Sequence, residues 1–280
     1  MIAFEVDSAT CTRCGACVRD CPSRIIVMRD GAMPMVPPED EASCLQCQHC
    51  LAVCPTAAVS ILGRDPAASI PLRAGSFPML ESMSTLIRGR RSVRQYRDEN
   101  VDPALIQRLL TAVANAPSGC NHMGLTFAVV DDKAAMQRLR LKTYGLLEAA
   151  IQAGRVPERM AFLTHAVPAW NTHGADMVYR GAPHLLIVST DAETVCPQED
   201  VSLALATFEL LAACAGLGTV WCGILKMACE LLPELKQEVG LDAGQSYYAM
   251  LFGHPAVHYA RTVQRDSAAR VRHIGRAETR

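Results

Sequence analysis

The plainest chemistry in this sequence lies near its start. "CTRCGACVRDCP" sets Cys11, Cys14, Cys17 and Cys21 ahead of Pro22, and "CLQCQHCLAVCP" sets Cys44, Cys47, Cys50 and Cys54 ahead of Pro55. Both runs obey C-x2-C-x2-C-x3-C-P. Thiolates at this spacing bind metal: three on a tight loop can grip three irons of one cubane, while the fourth, further along, points elsewhere. Zinc is the alternative, because CxxC pairs also build zinc ribbons. Zinc would leave the third cysteine of each run idle, and although His49 could serve as a ligand, the first run has no matching histidine. Gly15, Ala16 and Ala52 are small enough for nearby backbone amides to reach cluster sulfurs. The opening "MIAFEVDSAT" has neither a basic nor an apolar leader pattern. A reducing, cytoplasmic setting is therefore expected, and it argues against reading the cysteines as a disulfide framework.

Over residues 1–62 the doubled run resembles the two-cluster bacterial ferredoxins. The resemblance implies two 4Fe–4S clusters with crossed ligation: one on Cys11, Cys14, Cys17 and Cys54, the other on Cys44, Cys47, Cys50 and Cys21. Pro22 and Pro55 would fix the chain direction just after each crossing ligand. Between the runs, Asp30-Gly31 reads as a hairpin turn between apolar stretches. Ala57–Leu62 reads as the closing strand of a small sheet. So small a domain would be held together chiefly by its metal.

A second concentration of chemistry follows in "RGRRSVRQYR", with five arginines between Arg88 and Arg97. A solvated face is the plain explanation of a charge run. In an extended segment, however, Arg90, Ser92 and Arg94 point the same way. Two guanidiniums and a hydroxyl aimed at one spot suit a phosphate or a delocalised anion.

Arg90-Arg91-Ser92-Val93-Arg94-Gln95-Tyr96 resembles the opening motif of the nitroreductase family of FMN enzymes. So do Pro117-Ser118-Gly119-Cys120-Asn121, "GAPHLLIV", "GLGTVWCG" and "YARTVQR", in the family's order. After the Pro-Ser turn, relatives often continue Gln-Pro-Trp where this chain has His122-Met123-Gly124-Leu125. The resemblance implies that Arg90, with Arg91 beside it, and Ser92 hold the FMN phosphate and ribityl chain, with Arg94 at the pyrimidine edge. Pro117, Ser118 and Asn121 would approach the flavin from the partner subunit of a homodimer. Trp221, Cys222, Gly223 and Ile224 would line the ring, and Arg261 and Arg265 would complete the phosphate contacts. Cys222 reads first as a small buried residue. His165 and His173 lie in a stretch that could cover the flavin, and either is a candidate proton donor. Glu209, in an apolar helix, is expected to pair across the dimer interface.

These residues need a frame. Gly63–Pro78, rich in Pro, Ser and Gly, reads as a linker, which extends over 63–79, with the second domain at 80–280. Asp102 caps an expected helix with Pro103 at its first position. Strands are expected at Leu125–Val130, His184–Ser189, Thr219–Leu225 and Tyr247–Gly253. Helices are expected at Lys133 to about Ala153, from the second strand to Gly216, and at Met227–Val239. The class is α+β: a small ferredoxin-like iron–sulfur domain, then a mixed sheet flanked by helices. No GxGxxG or P-loop pattern supports a Rossmann or nucleoside-triphosphate site, and a net charge of −1 gives no basic face for nucleic acid. The long apolar run Val201–Val220 contains Glu209 and reads as a buried helix, not a membrane span.

Together the two parts imply an oxidoreductase in which reduced ferredoxin, or a similar carrier, feeds electrons through the clusters to FMN and on to a small organic acceptor of nitro, quinone or enone type. Low-oxygen metabolism is expected with such cofactors. Two alternatives stay open: direct reduction by NAD(P)H with clusters that export electrons or sense redox state, and a non-catalytic electron carrier.

Overall fold

The computed structural model describes residues 2–29, 31–265 and 267–274. It separates into two compact units. The first runs from the N-terminus through Phe77 and also takes in Pro117–Gly124 and Glu193–Asp200; the second holds Pro78–Ala116, Leu125–Ala192 and the chain from Val201.

In the smaller unit, strand β1 (Glu5–Val6) is followed by helix α1 (Ala16–Asp20), helix α2 (His49–Ala52) and strand β2 (Val59–Ser60). β1 and β2 pair antiparallel, Glu5 opposite Ser60 and Val6 opposite Val59. Ile2, Ile25, Ile26, Leu51, Val59 and Ile61 form a small core with Cys17 and Cys50. The repeat in sequence is a repeat in backbone. Arg13, Gly15 and Arg24 have positive φ, and so do Gln46, Gln48 and Ala57, the residues at the same offsets from Cys11 and Cys44. Non-glycine residues enter the left-handed region only where the surroundings compel it, so both loops are bent to one template. Asp30 lies outside the described residues, but the segments beside it close on each other: Val27 and Met35 exchange both backbone hydrogen bonds, at 2.8 and 2.9 Å.

The larger unit begins with helix α3 (Leu80–Gly89) and helix α4 (Pro103–Val113), then strand β3 (Thr126–Val130) and helix α5 (Lys133–Gln152). Helix α6 (Ala166–His173), strand β4 (His184–Asp191), helix α7 (Pro197–Cys214) and strand β5 (Gly218–Trp221) follow. Helices α8 (Gly223–Leu231) and α9 (Pro233–Glu238) and strand β6 (Gln245–Gly253) complete the order. Asp102 caps α4 by accepting from the Ala104 amide at 2.9 Å, and Asp132 caps α5 through Ala135 at 2.8 Å. Gly216, at φ 75, ends the turn after α7, with Leu217 N–H closing onto Ala212 at 2.9 Å.

The sheet order is β3-β4-β6-β5 and every strand pair is antiparallel. Among the described residues its parallel component is a single bridge, Ser92 to Thr219. Alternation along the central strands feeds two cores. Leu185 and Ile187 of β4, with Ala249 and Leu251 of β6, face α5, α6, α8 and α9. Leu186, Val188, Met250 and Phe252 face α4 and α7, against Ile106, Leu205 and Phe208. Burial on both faces is why β4 reads as an unbroken apolar run.

Two expected elements differ. β5 stops at Trp221, and the next residues turn into α8 instead of continuing to Leu225. The single helix expected over Met227–Val239 is two, because Pro233 cannot continue a helix and pushes Leu232 to an extended conformation, φ −122° and ψ 91°. Among the described residues no helix is long and apolar enough to cross a membrane.

Candidate functional site

The eight cysteines of the two runs gather around two cavities of the smaller unit. One is lined by Cys11, Cys14, Cys17 and Cys54, with Gly15 and Ala16. The other is lined by Cys44, Cys47, Cys50 and Cys21. Each cavity thus takes three thiols from one run and the last from the other. Backbone amides are turned onto sulfur at equivalent places: Arg13 N–H donates to Cys11 Sγ and Gln46 N–H to Cys44 Sγ, both at 3.4 Å. Ala58 N–H donates to Cys54 Sγ at 3.2 Å. Among the described residues no three His, Cys, Asp or Glu side chains converge as a single ion would require. His49, the possible zinc ligand, instead faces Asp20, Nδ1 to Oδ2 3.1 Å.

Burial sets the thiol protonation. It pushes Cys17 up, and Cys50 to about 11. Burial also raises Cys54, but the Ala58 amide and the Thr56 amide and hydroxyl outweigh it and hold that thiol below its ordinary value. A donor set with amides already aimed at sulfur and thiols wrapped in apolar side chains fits a cubane.

The turn Pro117–Asn121 belongs to the smaller unit. Asn121 Nδ2 donates to the Leu45 carbonyl at 2.9 Å, inside the second cysteine run. Gly119 N–H donates to Asp200 at 2.8 Å, and Met123 N–H to Ser118 Oγ at 2.9 Å. A side chain at Gly119 would sit 3.0 Å from the Cys196 Cβ. Cys120, Asn121 and Met123 all have positive φ, so the turn where the sequence departs from Gln-Pro-Trp has a sharply bent shape.

In the larger unit the remaining candidates fall into two clefts. The first, of about 300 Å³, is lined by Arg90, Arg91 and Val93 together with Gly216–Thr219 and Tyr259. Ser92 is half-buried on its bridge to Thr219 and lines neither cleft. Arg90 Nη1 is held 3.1 Å from Glu209 Oε1. Glu209 is 6% exposed, and its partner here is this arginine of its own chain: burying the carboxylate without a cation would be too costly. The second cleft, of about 540 Å³, brings together Arg94, Trp221, Cys222, Gly223 and Ile224. Gly218 and Gly223 are small for cause, since a Cβ would meet Val93 at 2.7 Å and the Tyr248 hydroxyl at 3.0 Å respectively. Tyr96 O–H donates to the Val93 carbonyl at 2.8 Å, which fixes the arginine segment. Arg261 and Arg265 are exposed and line neither cleft.

Cys222 is buried, its S–H donating to the Val178 carbonyl at 3.3 Å, and burial pushes the thiol to about 11. It stays protonated at neutral pH. His165 and His173 are exposed and line neither cleft. The stretch around them is packed into the core: Met160, Leu163, Ala166 and Val167 are buried, and Trp170 stacks on Tyr144 at 4.7 Å. Sequence reading missed the rest of the second cleft, Arg159, Arg180, Lys226, Glu230 and Tyr248. Arg180 stands beside the "GAPHLLIV" motif and could have been flagged; nothing local marks Arg159.

The sequence model of the nitroreductase family matches residues 87–254, and that of the 4Fe-4S dicluster domain matches residues 10–59. A curated relative from Archaeoglobus fulgidus, named "Putative NADH dehydrogenase/NAD(P)H nitroreductase", is 24% identical over 178 residues, 63% of this chain and 87% of its own length. A solved nitroreductase of Bacteroides fragilis with bound FMN superposes with a TM-score of 0.54 at 21% identity, covering 68% of this chain and 98% of that one. An FMN-bound nitroreductase of Desulfitobacterium hafniense gives 0.53 at 22%, covering 69% and 100%. At these identities the likeness to solved structures is one of fold.

Proposed function

The chain belongs to the nitroreductase family, and we propose that this oxidoreductase takes electrons from reduced ferredoxin or a similar carrier, through two 4Fe–4S clusters and FMN, to a nitro, quinone or enone acceptor. The observation that carries the reading is the sorting of the eight cysteines into two crossed sets of four. A dicluster electron-transfer domain in the same chain as a nitroreductase domain calls for a one-electron donor. The FMN-bound relatives support the flavin.

When bound, the clusters supply single electrons and the flavin delivers pairs. The protein's own residues bind and orient. Arg90, Arg91 and Ser92 would take the phosphate end, with Glu209 fixing the Arg90 guanidinium. Arg94 would place a cation at the ring, and Trp221 to Ile224 would form its wall, largely by backbone. The protonated Cys222 thiol is committed to a carbonyl and would act as part of that wall. Pro117, Ser118 and Asn121 would serve a flavin across a homodimer, and Arg261 and Arg265 would complete the phosphate contacts.

The name of the Archaeoglobus relative favours a second reading, direct reduction by NAD(P)H. Anaerobic stopped-flow mixing separates the two. Reduced ferredoxin should bleach the flavin within the turnover time while NADPH alone does not. Rapid bleaching by NADPH in the absence of ferredoxin would overturn the donor assignment.

A further inference from the structure

The second cleft carries more positive charge than the flavin reading uses. Arg94, Arg159, Arg180 and Lys226 line it against one carboxylate, Glu230. Glu230 pairs with Arg159 at 3.6 Å. Among the described residues, Arg94, Arg180 and Lys226 have no carboxylate partner.

Arg180 is held in place by unusual means. It is exposed and has φ 55, a left-handed conformation in a non-glycine residue. The turn around it is over-determined from below. Asp176, its carboxylate buried, accepts from the amides of Tyr179 at 2.9 Å and Gly181 at 3.0 Å. Asp176 is itself fixed by Arg140 at 2.6 Å and by the Tyr144 hydroxyl at 3.0 Å. A backbone strained at a surface arginine, on a platform this rigid, marks a placed functional group. Next to it Val178 and Cys222 supply an apolar wall.

We propose that the acceptor of this enzyme is an anion, a small organic molecule carrying a carboxylate or a comparable acidic group, and that Arg180, with Lys226, forms the clamp that receives that group. The inference rests on the reading of this cleft as the reducing site. The reading already assigns the flavin phosphate to Arg90 and Arg91 in the other cleft, which leaves these cations for the substrate. An arginine fork meets a carboxylate with two parallel hydrogen bonds, fixing orientation as well as charge.

The test uses oxidised holoprotein without any electron donor, so that binding is read apart from turnover. Calorimetric titration compares 4-nitrobenzoate with 4-nitrobenzamide, which share the nitro group and differ in charge. The carboxylate should bind about tenfold more tightly, and the advantage should shrink as salt rises from about 0.05 to about 0.5 M. In Arg180→Gln the two compounds should bind alike, with FMN content unchanged. Equal affinities in the parent protein, a salt-independent difference, or loss of FMN from Arg180→Gln would each overturn the clamp. Turnover with reduced ferredoxin then separates the two claims. Charge-selective binding without reduction of either compound would leave the clamp standing and remove the proposed function. Reduction of both compounds with equal KM would do the reverse.

Discussion

The two cysteine-lined cavities and the two clefts of the larger unit are built on opposite plans. In the smaller unit the ligands come from two short stretches, Cys11–Cys21 and Cys44–Cys54, and short helices, a two-residue strand pair and a handful of apolar side chains support them. In the larger unit the cleft residues come from positions as far apart as Arg94 and Tyr248, and a four-stranded sheet with cores on both faces holds them. The first site makes its own fold; the second borrows one. Local spacing is therefore enough to specify a cluster site, whereas a cleft of this kind exists only after strands distant in sequence have paired.

That contrast predicts where each unit breaks. Cys54→Ser should have the largest effect. It should remove the cluster of the opposite run, so that about four of some eight irons are lost, and iron chelation of the parent protein should melt the smaller unit while far-UV signal from the larger one persists. Iron analysis and circular dichroism check this; a Cys54→Ser protein retaining full iron would break the crossed assignment.

Arg140→Met comes next, acting on the larger unit alone. It strands Asp176, a buried carboxylate held at 2.6 Å, and should cost about 3–5 kcal/mol in chemical denaturation. Visible absorption of the clusters should hardly change. Gly218→Ala should cost about 1–3 kcal/mol, since the added methyl meets three Val93 carbons at 2.7–2.8 Å. It should also weaken FMN retention, because Val93 lies between Ser92 and Arg94.

The smallest effect is a pH slope. His184 is fully buried, accepting from Val101 N–H at 2.8 Å, and burial lowers its pKa below the ordinary value of about 6.5. The unfolded chain thus binds a proton more readily than the folded one. Stability from this group is complete above about pH 6.5 and declines as pH falls toward the folded pKa. His184→Gln should flatten that slope in thermal melts at pH 5 to 7.

The sequence exposed the two sites unequally, and the reason is the same contrast. The cysteine sets were legible because their spacing is the geometry. The strands and long helices were legible, α4 from its cap Asp102 and β4 from its apolar run. The break at Pro233 was written in the sequence, since proline cannot continue a helix. The partner of Glu209 could not be read: Arg90 lies 119 positions away, and only the packing of α7 beside the end of α3 brings them together. The same holds for Arg159 and Arg180, which enter the second cleft through the buried Asp176 turn and the packed segment before α6. Nothing in the Pro117–Asn121 motif announces that Asn121 reaches the Leu45 carbonyl.

Everything turns on whether one chain carries both cofactor types and uses them together. The direct measurement is anaerobic purification with iron, acid-labile sulfide, zinc and flavin quantified on the same sample, followed by addition of reduced ferredoxin. The account predicts about eight irons and eight sulfides with one FMN per chain, and loss of flavin absorbance on adding the carrier. Stoichiometric zinc in place of iron, or a fully loaded protein whose flavin stays oxidised, would contradict it.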